Sequence, residues 1–257
     1  MSLRKATTGV VGLFAGVFIA LMSGCGSGSN TSLGPGGNTT SQLRSYNALV
    51  CSTYNSLDFA QRVSTALLTQ GAVYGQINGY NTVPAGNGIN DFAIQTGTVV
   101  AQKSFDLHPD GSYTLAAAGD CSQASASGVT PTLFQFTDTP PTTAQLSASA
   151  ALRIIHLAPA TAAGYQTIDV YNAGLPLSGL TNIGYGTASV YALLPAATYN
   201  LSLHSHATNA LLPVPAATTN LLASLNLAAG HVYTLFVIGT TNNVPNEAFD
   251  VKWVQDK

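Results

Sequence analysis

A pattern of about 111 residues occurs twice in this 257-residue chain, and that repetition constrains the fold more than any other feature. Leu43-Arg44 is answered by Leu152-Arg153, and Leu57-Asp58-Phe59 by Ile168-Asp169-Val170. Tyr80 with Val83-Pro84-Ala85 is answered by Tyr191 with Leu194-Pro195-Ala196. Phe105-Asp106-Leu107, Tyr113-Thr114-Leu115 and Gly119 are answered by Leu225-Asn226-Leu227, Tyr233-Thr234-Leu235 and Gly239. Asp58 to Tyr80 and Asp169 to Tyr191 are both steps of 22 residues. From Pro84 to Tyr113 the first copy runs 29 residues, while Pro195 to Tyr233 in the second runs 38, a difference that a loop absorbs at small entropic cost. Whatever structure is assigned to one copy must therefore suit the other.

Each copy reads as β structure. Arg153 to Leu157 is β-rich and stops at Ala158-Pro159; Thr167 to Tyr171 alternates and stops at Asn172-Ala173-Gly174; Ala197 to His204 alternates with period two; His231 to Ile238 is the most apolar run. Short alternating strands between Gly, Pro and Asn signals suggest a sandwich. The apolar spacing of Leu57 to Gln70 could also suit a helix, but the matching stretch Asp169 to Tyr185 is rich in Gly and Pro, which argues against a long one. Thr132 to Thr137 parallels Phe249 to Val254 as the last strand of its copy. The expected organisation is a signal over residues 1–24, a tether over 25–41, a first sandwich over 42–138, a linker over 139–150 and a second sandwich over 151–257. The Asp106-Leu107-His108-Pro109-Asp110-Gly111 stretch lacks calcium-loop spacing and reads as a hairpin turn.

At the N-terminus, Arg4 and Lys5 precede an apolar run from Val10 to Leu21, which ends in Leu21-Met22-Ser23-Gly24-Cys25. A charged start, a short apolar stretch and small residues before a cut site make a secretory signal. A spanning helix needs about 20 apolar residues, more than are present here. The Ser-Gly-Cys junction resembles the lipobox of bacterial lipoproteins, with Met22 where Leu is usual. That resemblance implies lipidation at Cys25, and Gly26 behind it implies outer-membrane sorting in a Gram-negative cell. A plain secretory signal and a membrane anchor are the competing readings. Gly26 to Thr40, GSGSNTSLGPGGNTT, cannot bury a core and reads as a flexible tether spanning roughly 20–25 Å.

Charged residues make up 7% of the chain, against a usual share of about 25%. Such a surface offers no electrostatic footprint for nucleic acid and little steering for ionic substrates. With Cys25 given to lipid, Cys51 and Cys121 remain as a pair in an oxidising compartment, where a structural disulfide competes with two buried thiols.

The second copy also carries Leu152-Arg153-Ile154-Ile155-His156-Leu157-Ala158-Pro159, Ile168-Asp169-Val170-Tyr171, Leu194-Pro195-Ala196-Ala197-Thr198-Tyr199 and Gly230-His231-Val232-Tyr233-Thr234, in that order. These resemble the bacterial domain-of-unknown-function family 4397, with its R-V-V-H-A-S-P opening, D-V-Y strand, L-P-A-G-T-Y turn and G-x-x-Y-T strand. The first copy matches more weakly, with Ser45-Tyr46-Asn47-Ala48 in place of the Ile-Ile-His-Leu of the opening and an extra cysteine at Cys51. The resemblance implies tandem Ig-like antiparallel β-sandwiches, all-β, attached to the envelope. It implies no activity.

Candidate chemistry is sparse. His204 and His206 lie two apart on a strand and share a face, so they could contribute two ligands to a metal ion, but a zinc site needs a third from His156, His231 or an Asp. Metal and cofactor binding are therefore not expected. Asp58 and Asp169 recur at matching places; as structural carboxylates they would accept backbone hydrogen bonds or pair with Arg44 and Arg153. Of the tyrosines, Tyr80, Tyr113, Tyr191 and Tyr233 recur and are expected in the core, whereas Tyr165 and Tyr185 lie in Gly-rich loops and are the candidates for binding a sugar or small ligand. No nucleophile elbow, phosphate loop, dinucleotide fingerprint or Cys/His pair is present. The expectation is a non-enzymatic lipoprotein of the cell envelope, facing the periplasm or cell surface, with a structural, adhesive or interaction role. Its partners would be the membrane through its lipid and possible envelope proteins or glycans; the alternative is a carbohydrate- or ligand-binding module.

Overall fold

The computed structural model describes residues 39–51, 56–61, 66–95, 99–121, 129–159, 165–240 and 248–256. The signal, Cys25 and most of the tether lie outside the described residues. The first copy contains β1 (Thr40–Val50), β2 (Ser56–Gln61), β3 (Ala66–Val73), β4 (Asn81–Pro84), β5 (Gly86–Gln95), β6 (Val99–Leu107), β7 (Ser112–Asp120) and β8 (Thr132–Thr137). The second contains β9 (Ser149–His156), β10 (Thr167–Asn172), β11 (Leu175–Pro176), β12 (Ile183–Gly184), β13 (Thr187–Ala188), β14 (Ala192–Pro195), β15 (Ala197–Tyr199), β16 (Leu201–Ser205), α1 (Ala216–Leu222), β17 (Leu225–Leu227), β18 (Val232–Ile238) and β19 (Asp250–Gln255). Among the described residues no helix is long and apolar enough to cross a membrane.

The protein is all-β, and its named strands pair within their own copy. The first copy stacks the sheet β4-β1-β7-β8 on the sheet β3-β2-β5-β6. The second stacks β9-β18-β19, extended by β13 and β14 on the far side of β9, on a sheet in which β10 pairs β11, β12 and β16. Alternation sorts the side chains: Leu43, Tyr113 and Leu115 meet Phe59 and Ile94 in one core, and Leu152, Tyr233 and Leu235 meet Ile168 and Val170 in the other. Tyr113 and Tyr233 are each 3% exposed at equivalent places.

One pairing in each copy departs from the antiparallel pattern. The first strand runs parallel to the penultimate one, β1 beside β7 and β9 beside β18. The turn at His108 to Gly111 is likewise no hairpin: β6 and β7 belong to different sheets, so it carries the chain from one sheet to the other. Parallel register also explains the cysteines. Val50 stands opposite Asp120, so the next residues, Cys51 and Cys121, meet with Cα atoms 5.0 Å apart and are joined as a disulfide. In Leu57 to Gln70 the helical spacing yields to β2 and β3. The longer connection of the second copy holds α1, with Thr218 and Leu222 buried.

β7, β9 and β18 are buried on both faces along most of their length, so neither copy is closed by its own core. A third cluster joins them: Tyr46, Ala48, Ala116, Ala118 and Phe136 of the first copy pack on Ile155, Leu157, Phe236 and Ile238 of the second. Tyr46 stacks on Phe236 with ring centroids 4.1 Å apart. The contact is reciprocal: Phe134 lies over Gly186, where a Cβ would come within 2.4 Å of its ring, and Lys252 lies over Gly75, where its Cε would be 3.6 Å away. The segment between the copies is no bare spacer. Asp138 and Leu146 are buried, and Leu146 packs with Ala151 and Val232.

Candidate functional site

Arg44 and Arg153 occupy equivalent positions on the first strand of each copy and are 4% and 1% exposed. A buried guanidinium must be neutralised and hydrogen-bonded. The ladder supplies the first partner: Thr114 stands opposite Arg44 and Thr234 opposite Arg153, and each accepts from the arginine Nε, at 2.8 and 3.0 Å. The charge is balanced by the residue that follows the last strand of each copy, Asp138 after β8 and Asp256 after β19.

The two copies exchange these partners. Arg153 Nη2 donates to Asp138, and Arg44 Nη1 donates to Asp256 at 2.6 Å. Thr114 and Thr234 donate to the aspartate of their own copy, Asp138 at 2.7 Å and Asp256. Arg153 Nη1 also donates to the Thr137 carbonyl at 3.1 Å, and Tyr80 donates to Asp138 at 2.7 Å. The Arg44 and Arg153 guanidiniums lie 5.0 and 4.7 Å from the ring centroids of Tyr80 and Tyr191. Two arginines and two aspartates leave the cluster neutral. Burial works against the Arg44 charge, yet Asp256 and Asp138 outweigh it and hold its pKa above the usual value. Burial, aided by Asp138, raises the Tyr80 pKa, and burial raises that of Tyr191 to about 12, so both hydroxyls stay protonated near neutral pH. Chemically the arrangement is a lock: Arg44 also lies 3.6 Å from Asp138 of its own copy, but the hydrogen-bonded carboxylate of each arginine comes from the other copy.

Over the Arg153–Tyr191 pair the surface opens into a hollow of about 550 Å³, walled by Pro140, Pro141, Gln145 and Leu193. Val190 beside it is 71% exposed.

The residues singled out in the sequence lie elsewhere. Asp58 and Asp169 do accept backbone hydrogen bonds, from Gly71 at 2.7 Å and Asn182 at 2.6 Å, each from 13 positions further along the chain. They are not the partners of Arg44 and Arg153, which turn to the other copy instead. His206 Nδ1 lies 2.9 Å from Asp169, while His204 stacks on Tyr171 and bonds Ser202 and Asn209, so each ring has partners of its own. Among the described residues no three His, Cys, Asp or Glu side chains gather to hold a metal. Tyr165 packs edge-on to Phe249, 5.2 Å between centroids, at a separate hollow of about 400 Å³ beside Pro213 and Pro215. Tyr185 sits between Phe134 and His156 at the contact between copies, with its hydroxyl buried and without a partner. His156 Nε2 lies 2.8 Å from the Tyr165 carbonyl and must donate to it, which leaves Nδ1 bare and buried; burial lowers its pKa to about 4. Asp138 and Asp256 carry no local motif of their own in the sequence. The signal for them was an aspartate directly after the last strand of both copies.

The profile of the domain of unknown function DUF4397 matches residues 41–164 and again residues 161–257. No curated protein matches the sequence. The chain belongs to the DUF4397 family and carries its domain twice in tandem.

Proposed function

We propose that this chain is a lipid-anchored protein of the bacterial cell envelope, in which two Ig-like sandwiches act together as one rigid, non-catalytic body with a structural, adhesive or interaction role. The observation that carries this reading is the exchange of Arg44 and Arg153 between the copies. Interfaces between domains of one chain usually permit relative motion. Here a shared apolar core and a neutral buried charge cluster hold the two copies in one orientation, as suits a body that presents a fixed surface at the end of a tether. The Ser-Gly-Cys junction supports anchoring at Cys25, with outer-membrane placement facing the periplasm or the cell surface.

The test is detergent phase partition and crosslinking in intact envelopes, with wild type beside Cys25→Ala. The wild type should enter the detergent phase and crosslink to discrete envelope proteins or glycans; Cys25→Ala should enter the aqueous phase and lose those products. A wild-type protein that is aqueous and cut elsewhere overturns the anchored reading.

A second reading, binding of a carbohydrate or small ligand, is favoured by the hollow over Tyr191. A tyrosine face with amide and hydroxyl groups around it suits a sugar ring. A glycan array separates the two: saturable binding that Tyr191→Ala abolishes supports this second reading.

A further inference from the structure

The outer edge of β19 is open. The Asp256 N–H donates to the Val232 carbonyl at 2.7 Å, which sets the alternation along the pair. Residues 250, 252 and 254 exchange backbone bonds with β18, and Val251, Trp253 and Gln255 aim theirs outward; the Val251 N–H is taken by Asp250 Oδ1 at 2.7 Å, which leaves the Trp253 amide, not that of Val251, for a partner. Among the described residues no strand pairs with that side. A hollow of about 410 Å³ touches all four residues from Val251 to Val254. Neighbours in a strand point to opposite faces, so a hollow reached by four in succession lies at the strand's edge. Leu221 of α1 forms one wall and Ile77 of the first copy the other.

Comparison of the copies shows what fits there. The register places Lys252 opposite Phe236 and Phe134 opposite Ala116, so Lys252 and Val254 stand where the first copy has Phe134 and Phe136. In the first copy the corresponding space is filled by the Phe134 ring, edge-on to Tyr185 at 5.5 Å. The slimmer side chains of β19, and a helix that among the described residues only the longer second copy shows, leave the space open. Tyr46 lines it, fully buried, with a hydroxyl that has no partner. Trp253, the chain's one tryptophan, is 39% exposed at the rim. Lys252 is paired with Asp250 at 2.6 Å, so the groove presents no net charge.

We infer that this groove receives an extended, uncharged segment of a partner protein, which adds a strand to β19 and places an aromatic side chain in the hollow. Strand addition draws affinity from main-chain bonds and selectivity from pockets for alternate side chains. An edge recessed between two walls admits a single extended chain and excludes the edge of another folded sheet. The hollow lies within the size range of ligand sites, roughly 300–1,000 Å³. This inference rests on the interaction reading above and names the kind of partner.

The probe is a capped heptapeptide alternating threonine with valine around a central phenylalanine, titrated into the full chain. Expected are a saturable change in Trp253 emission and new exchange protection at the Trp253 amide. Methylating the peptide nitrogens that face β19, or blocking the groove with Ala217→Arg, should weaken binding by about tenfold or more, the equivalent of one or two backbone hydrogen bonds. Ala217 is exposed, so that variant should keep the wild-type melting temperature. Three results overturn the inference: no saturable binding, equal binding of the methylated peptide, or an amide at Trp253 already protected in the free chain, which would mean that the chain itself or a second copy fills the groove. None of these alters the outcome of the Cys25→Ala partition, so the anchored-body reading stands or falls separately.

Discussion

Replacing Asp138 by Ala removes the acceptor on which the charge exchange depends. Asp138 takes hydrogen bonds from Arg153, Thr114 and Tyr80, and lies 3.6 Å from Arg44 Nε. Its loss leaves Arg153, 1% exposed, without its carboxylate and the neutral cluster with a net positive charge. Removing one partner of a buried ion pair costs about 3–5 kcal/mol, because the remaining charge stays desolvated. The orphaned Thr114 and Tyr80 hydroxyls push towards the upper end of that range. In guanidinium chloride, with a slope of about 4 kcal/mol per molar for a protein of this size, the midpoint should fall by roughly 1 M. Asp138→Asn should lose less, since the amide oxygen still accepts one bond. A cycle with Arg153→Met should show coupling of about 2–3 kcal/mol, the double variant being more stable than the sum of the single losses implies. A loss below about 1 kcal/mol, or coupling near zero, would refute the reasoning: the carboxylate would then be behaving as a solvated surface group.

Phe236→Ala removes the ring that stacks on Tyr46 and should cost about 3–5 kcal/mol, with both copies unfolding in one transition by circular dichroism and Tyr fluorescence; two separated transitions would show that the shared core does not couple them. Reducing Cys51–Cys121 releases a loop of 70 residues and should cost up to roughly 4 kcal/mol, read as a lower midpoint in urea with reductant; an unchanged midpoint counts against the bond. His156, its pKa lowered to about 4 in the fold, stays neutral there while the unfolded chain takes up a proton near its ordinary value of 6.5. Its contribution is therefore fully present above about pH 6.5 and should fade as pH drops towards 4, by up to about 3 kcal/mol, a slope that His156→Gln should flatten.

Much of the fold was legible because it follows from periodicity within short segments. The strand over Thr132 to Thr137 and the core places of Tyr113 and Tyr233 follow from alternation and repetition alone. The arginine partners were not legible. Arg44 and Asp256 stand 212 residues apart, and nothing local marks an exchange between copies, whereas Asp58 and Asp169 recur inside the strands, close in sequence to each arginine. Tyr80 and Tyr191, expected in the core because they recur, instead cover the arginines from the solvent side. Leu146 was hidden for the opposite reason: one apolar residue among Ser, Thr and Ala carries no period.

The first copy's weaker match at its opening has a physical explanation in the contact between the copies. Tyr46 stands opposite Ala116 in the first copy, and Ile155 opposite Phe236 in the second, so at the same level the bulk lies on different strands. One step along, the first copy offers Ala48 and Ala118, and the second offers Leu157 and Ile238. At the last strand the order reverses: where the first copy has Phe134 and Phe136, the second has the slimmer Lys252 and Val254. Interiors pack to near-crystalline density, so large side chains must meet small ones. Two identical second copies set in the same arrangement would bring Leu157, Phe236 and Ile238 against themselves and overpack the joint. Of the four places at which Ser45-Tyr46-Asn47-Ala48 departs from Ile154-Ile155-His156-Leu157, Tyr46 and Ala48 are the ones that let unlike copies close on each other, while Ser45 and Asn47 bond Thr69 and Ala72 inside their own copy.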